Sequence, residues 1–71
     1  MSVDIRQYTR IIIRKNGLYL FGFNEFTKIP EWRISPFDAW WTRDKDAATV
    51  IARKTGGIPI LFNTVIGRTE M

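Results

Sequence analysis

The stretch Arg10-Ile11-Ile12-Ile13-Arg14-Lys15-Asn16-Gly17-Leu18-Tyr19-Leu20-Phe21-Gly22-Phe23 decides how this chain folds. Asn16-Gly17 suits a two-residue type I′ turn, which needs positive φ at both central positions. Such a turn pairs Lys15 with Leu18, Arg14 with Tyr19, Ile13 with Leu20, Ile12 with Phe21, Ile11 with Gly22 and Arg10 with Phe23. Side chains alternate between the two faces of a strand. One face then carries Thr9, Ile11, Ile13, Leu18, Leu20 and Gly22, an aliphatic floor for a helix. The other carries Tyr8, Arg10, Ile12, Arg14, Tyr19, Phe21 and Phe23, a lattice of rings and guanidiniums.

Downstream of this hairpin, Lys28-Ile29-Pro30 interrupts regular structure, because proline has no amide donor. Glu31-Trp32-Arg33-Ile34 alternates polar and apolar residues and reads as a short third strand. Ser35-Pro36-Phe37-Asp38 has the pattern of a capping box, with serine as cap and proline at the first helical position. Only one turn fits there before the brief extended piece that holds Trp40-Trp41. Adjacent residues on such a piece point oppositely, so one of these rings packs inward and the other lies near the surface.

The main helix is expected from about Lys45 to Lys54, capped by Asp44 or Thr42. Ala47, Ala48 and Ile51 form its inner line, flanked by Val50 and Ala52, while Lys45, Asp46, Thr49 and Arg53 face water. Gly56-Gly57 stops it, with positive φ at one of the two. Ile58-Pro59-Ile60-Leu61-Phe62 is a last strand, with Pro59 confined to its first positions or to a sheet edge. From Asn63 onward the chain turns or frays. The order β-β-β-α-β makes one α+β domain over residues 1–71, a two-layer sandwich of three or four antiparallel strands under one helix.

A chain of 71 residues buries a thin core, and three Trp, two Tyr and five Phe compensate with large buried areas. It has no cysteine, which favours a reducing, cytoplasmic setting over a small secreted scaffold. No run approaches a membrane span and the first residues lack a signal-peptide pattern. The net charge is +4, and the excess gathers on the first strand, where Arg6, Arg10, Arg14 and Lys15 face Asp4 alone. Basic character of this kind favours nucleic acid or an acidic protein as partner.

The absences narrow the chemistry. Without histidine or cysteine the chain lacks the common general bases, thiol nucleophiles and soft metal ligands. Glu25, Glu31, Asp38, Asp44 and Asp46 fall on loops, caps and a wet helix face. Asp44 and Asp46 belong at a helix start, where negative charge offsets the macrodipole. Gly56-Gly57 closes a helix rather than opening one, unlike a phosphate loop. The expectation is a binding module, not an enzyme, with no cofactor, no metal, no membrane and no small-molecule substrate.

The candidate binding residues are Arg10, Arg14, Tyr19, Phe21 and Phe23. Rings on a sheet face stack unpaired bases and the flanking arginines meet phosphates. A sheet can also enter the major groove with arginine on guanine edges. The same face also suits two other uses. It can bind a protein partner or a second copy, since aromatics and arginine are enriched at interfaces. It can also close a second small core, with Phe21, Phe23 and the tryptophans under the 24–35 loop or the C-terminal tail.

In Ser35-Pro36-Phe37-Asp38-Ala39-Trp40-Trp41 and on to Gly57, then Phe62-Asn63, the chain resembles small phage and prophage proteins. These share a Tyr-Leu-x-Gly hairpin strand (here Tyr19-Leu20-Phe21-Gly22), a small-residue helix, a Gly-Gly stop and a last strand. The likeness spans most of the chain and its motifs are structural. A looser similarity links it to the three-strand-plus-helix DNA-binding domains at the amino end of phage integrases. The proline-containing loop and the final strand depart from that pattern. The phage resemblance implies either a nucleic-acid-binding accessory protein or a small modulator of a host protein, such as an inhibitor of a defence system.

Overall fold

The Asn16-Gly17 turn is as the sequence requires, with φ of 52° and 78°. In the computed structural model, which describes residues 9–24 and 26–70, it joins β1 (Thr9–Lys15) to β2 (Leu18–Phe23). Tyr8, expected on the face of Arg10 and Arg14, lies outside the described residues. Then come β3 (Pro30–Arg33), β4 (Trp41–Thr42), helix α1 (Lys45–Thr55), β5 (Ile58–Asn63) and β6 (Arg68–Glu70). The antiparallel sheet runs β3-β2-β1-β5-β6, with β4 also paired to β1. One helix packs on it, so the α+β class holds. The expected β-β-β-α-β order gains β4 and β6.

The hairpin register holds only next to the turn. Lys15 pairs with Leu18 and Arg14 with Tyr19. From there β2 leaves β1, whose edge is taken by β4 instead, with Ile12 opposite Trp41 and Ile11 opposite Thr42. Trp40 donates its amide to the Leu20 carbonyl at 2.7 Å. The expected partners Ile13–Leu20, Ile12–Phe21, Ile11–Gly22 and Arg10–Phe23 are therefore replaced. Both candidate strands offer apolar residues, and the tryptophan segment has more surface to bury there.

A second correction lies in β2. Its register with β3 shifts between Leu20, opposite Trp32, and Gly22, opposite Glu31, so Phe21 is the extra residue of a bulge. One extra residue reverses the alternation. Phe23 faces Pro30, on the Trp32 side, and so leaves the face that holds Phe21.

The helix side is as expected in substance. Ile13, Leu20, Ala48 and Ala52 are buried together, with Ile11, Trp32, Trp40 and Ile51 packed around them. The inner line of α1 is Ala48, Ala52 and Thr55, with Val50 left exposed. Alanines at the contact let the helix lie close. Asp44 caps α1, its carboxylate accepting from the amides of Asp46 and Ala47 at 2.9 and 3.4 Å. Gly56 stops it at φ 77° and donates to the Ala52 carbonyl. Gly57 is needed for space, since a Cβ there would lie 2.5 Å from Ile13 Cγ2 and 3.0 Å from the Arg14 carbonyl oxygen.

The opposite side is covered at its centre rather than offered as an open binding lattice. Ile12 and Phe62 are 0% exposed and form a second core with Ile60, Ala39 and half-buried Tyr19. Each large side chain so buried contributes about 1.5–3 kcal/mol. The cover is the 35–39 segment, a turn rather than the start of a helix. The Phe37 amide donates to Ser35 Oγ at 3.3 Å and the Ala39 amide to the Pro36 carbonyl at 3.3 Å. Phe37 meets Phe62 edge-on, with ring centres 5.1 Å apart. A second core thus exists, but it is built from Ile12, Ile60, Phe62, Ala39 and Tyr19 rather than from Phe21, Phe23 and the tryptophans, and it is closed by the 35–39 turn and β5 rather than by the 24–35 loop or the C-terminal tail.

Candidate nucleic-acid interface

Cross-strand partners share a face, so the registers order the side chains opposite the helix into rows. Arg33, Tyr19 and Arg14 lie across β3, β2 and β1 in one row. Trp41, Ile12 and Ile60 make the next, across β4, β1 and β5. One step further along, Arg10 pairs with Phe62 on β5, and Arg43 follows β4 at a bend beside Trp41. Four arginines thus lie around a buried aliphatic centre.

Two of them share one ring. The guanidinium carbons of Arg10 and Arg43 lie 4.4 and 4.9 Å from the centre of the Trp41 ring. Trp41 is 39% exposed, while Trp40 packs into the helix-side core. The adjacent tryptophans therefore divide as their alternation demands. Arg33 lies over Phe21, 4.8 Å from the ring centre, and Phe21 is 44% exposed. Arg33 also bridges Glu31 at 3.3 Å, with both side chains about half exposed. Contacts of this kind contribute roughly 0.5–1 kcal/mol each at exposed sites.

Of the residues expected to form the interface, Arg10, Arg14, Tyr19 and Phe21 are on one face. Phe23 is not among them, because of the bulge. Tyr19 is half-buried in the second core rather than offered for stacking. Arg33 and Arg43 were missed as members. For Arg33 the signal was the alternation of the third strand, and for Arg43 only its place next to the Trp41-Thr42 strand. Asp38, on the covering turn, is exposed near this side.

The β2–β3 loop holds a different feature. Asn24 Oδ1 accepts from the amides of Phe26 and Thr27 at 2.9 and 3.1 Å, and the Lys28 amide donates to the Asn24 carbonyl at 2.8 Å. Lys28 adopts φ 61°, a left-handed conformation costing about 1–3 kcal/mol outside glycine. This ordered loop presents Phe26 with 98% of its surface exposed. An apolar groove of about 430 Å³ lies between α1 and β5, lined by Ile11, Ala48, Pro59 and Leu61 with Lys45 and Thr49 at its rim.

Among the described residues no helix is long and apolar enough to cross a membrane, and no three carboxylates, histidines or cysteines converge to hold a metal. Comparison of the chain with family models, curated proteins and solved structures finds no match.

Proposed function

We propose that this protein is a small non-enzymatic module that binds nucleic acid through the arginine-bearing face opposite its helix. The observation that carries the reading is the arrangement of Arg10, Arg14, Arg33 and Arg43 on that one face. Three of them lie against the half-exposed rings of Trp41 and Phe21. Guanidiniums suit phosphate oxygens, and the half-exposed rings add sequence-tolerant stacking. The second core changes the site's shape but not its charge. The interface is a basic rim around a buried centre rather than an open aromatic lattice. The phage resemblance agrees with an accessory protein of this kind acting in the cytoplasm.

Gel-shift titration at low salt with the Arg10→Ala/Arg14→Ala double variant tests this. Weakened binding with unchanged circular dichroism supports the reading. Equal binding by the two proteins rejects it.

A second reading, a host-protein partner, rests on the Phe26 loop. An ordered turn with a strained lysine that displays a bare phenylalanine has the form of an interface anchor. The comparison is capture from nuclease-treated host lysate by the native chain and by Phe26→Ser. A partner held by the first and lost by the second supports it. Identical capture profiles count against it.

A further inference from the structure

We infer that the open edge of β3 pairs with the same edge of a second copy of this chain, joining two sheets into one. The inference goes beyond the nucleic-acid reading and does not depend on it.

β3 is an end strand of the sheet, with β2 on one side and no strand on the other among the described residues. Its backbone direction follows from two bonds. The Asn24 amide donates to the Ile29 carbonyl at 3.3 Å, so residue 29 faces the β2 side. The Leu20 carbonyl is taken by the Trp40 amide, on the far side of β2. Leu20 and its partner Trp32 are therefore a pair without mutual main-chain bonds. Alternation then turns the main-chain groups of Pro30, Trp32 and Ile34 to the open edge. There the Trp32 carbonyl accepts from the guanidinium of Arg33 at 3.4 Å, a long bond that a strand amide can replace. Pro30 sits where its missing donor breaks no bond to β2.

An edge of this kind is a template for another strand, and charges on it normally deter pairing. On β3 the charges are self-complementary. A two-fold axis at Trp32, perpendicular to the sheet, sets Glu31 opposite Arg33 of the second copy, and Arg33 opposite Glu31 of that copy. Opposite charges in such positions stabilise a sheet. Glu31 and Arg33 already meet within one chain at 3.3 Å, each about half exposed. A carboxylate and a guanidinium both have capacity for a second partner, so the axis closes a ring of alternating charges. The same axis lets Trp32 exchange amide and carbonyl bonds with its copy, and brings the Ile34 amide to the Pro30 carbonyl of the second copy. Ile34 is 82% exposed and Ile29 61%, large apolar side chains left in water at the two ends of β3. Pairing sets Ile34 directly opposite Pro30 of the second copy. The arginine faces of both copies then lie on the same side of the joined sheet.

Sedimentation equilibrium of the full chain, from about 10 μM to about 1 mM, reads the mass against 8.3 kDa for one chain. The native chain should approach twice that mass as concentration rises. Glu31→Arg and Arg33→Glu each put like charges opposite one another on both sides of the axis. Each should weaken dimerisation about 10- to 100-fold. Mixed in equal amounts, the two variants restore opposite charges and should associate as a heterodimer, a recovery that a merely structural role would not produce. Ile34→Lys, at an exposed position, should weaken the dimer with unchanged circular dichroism.

A native dimer lost in each charge variant and regained in the mixture supports the inference. A native chain that stays monomeric at the highest concentration overturns it. So does a dimer that Glu31→Arg, Arg33→Glu and Ile34→Lys form as tightly as the native chain, or a mixture that fails to associate. None of these results bears on the nucleic-acid reading, which the gel-shift titration tests separately.

Discussion

The Trp40 amide donates to the Leu20 carbonyl at 2.7 Å, and this bond marks where the first hairpin opens to admit a third segment. It takes the acceptor that an unbroken hairpin would offer near Ile13. Beside it, Trp41 pairs with Ile12 and turns its ring to the face opposite the helix. The wedge thus does two things: it completes the helix-side core with Trp40 and places Trp41 beside Arg10.

Unequal effects are expected from the two neighbouring tryptophans. Trp40→Ala removes a ring from the core of Ile13, Leu20 and Ala48 and should cost about 3 kcal/mol. A chain of this length has on the order of 4–10 kcal/mol in total. Trp41→Ala loses mainly its contacts with two arginines and should cost about 1 kcal/mol while weakening oligonucleotide binding. Urea denaturation of the two variants measures the difference, and equal midpoints would contradict it.

Two glycines give a second contrast. In Gly57→Ala the new methyl would meet Ile13 Cγ2 at 2.5 Å, the Arg14 carbonyl oxygen at 3.0 Å and the Trp32 ring at 3.3 Å. Crowding backbone as well as side chain should cost about 1–3 kcal/mol. Gly22→Ala places its methyl where nothing lies within 4 Å and should be neutral or stabilising by a few tenths of a kcal/mol. Thermal unfolding followed by circular dichroism separates them.

At the helix start, Asp44→Ala leaves the amides of Asp46 and Ala47 without their carboxylate acceptor. The expected loss is about 0.5–2 kcal/mol. Asp44→Asn keeps an acceptor oxygen and should recover most of it. A chemical-denaturation series across the three proteins checks the order, which fails if Asn is no better than Ala.

The second core predicts that its cover matters. Phe37 is more than half exposed yet stands edge-on to Phe62 and within 3.2 Å of where a Cβ on Gly67 would lie. Phe37→Ala should lose about 1–2 kcal/mol through the aromatic pair and the uncovered Phe62 surface. Phe26→Ala, at a side chain nothing covers, should change stability by less than about 0.5 kcal/mol. Similar losses at both positions would contradict the placement of the cover.

What the sequence made legible was local. Asn16-Gly17 fixes its turn because few other dipeptides accept two positive φ values. Asp44 and Gly56 bound the helix through hydrogen bonds within one turn of chain. The split between Trp40 and Trp41 follows from alternation alone. The register beyond Tyr19 was not legible, because Phe21 and Trp41 are both apolar candidates for the edge of Ile12 and only tertiary competition chooses. The bulge at Phe21 gives no pattern signal apart from Gly22, and it moved Phe23 to the other face. For the site, β1 alternation placed Arg10 and Arg14 together. The ring beside Arg10 comes from a residue 31 positions later, and no local rule links the two.

Salt dependence tests the central claim most directly. The dissociation constant of a fluorescent single-stranded oligonucleotide should be measured by anisotropy from 50 to 200 mM salt (about the range in which such dependence is strong). Four arginines meeting phosphates predict a slope of log affinity on log salt of about −3, at roughly 0.7 per phosphate. The slope for Arg10→Ala/Arg14→Ala should be shallower by about 1.4. An absence of binding at the lowest salt, or the same slope in both proteins, would contradict the claim that this face holds nucleic acid.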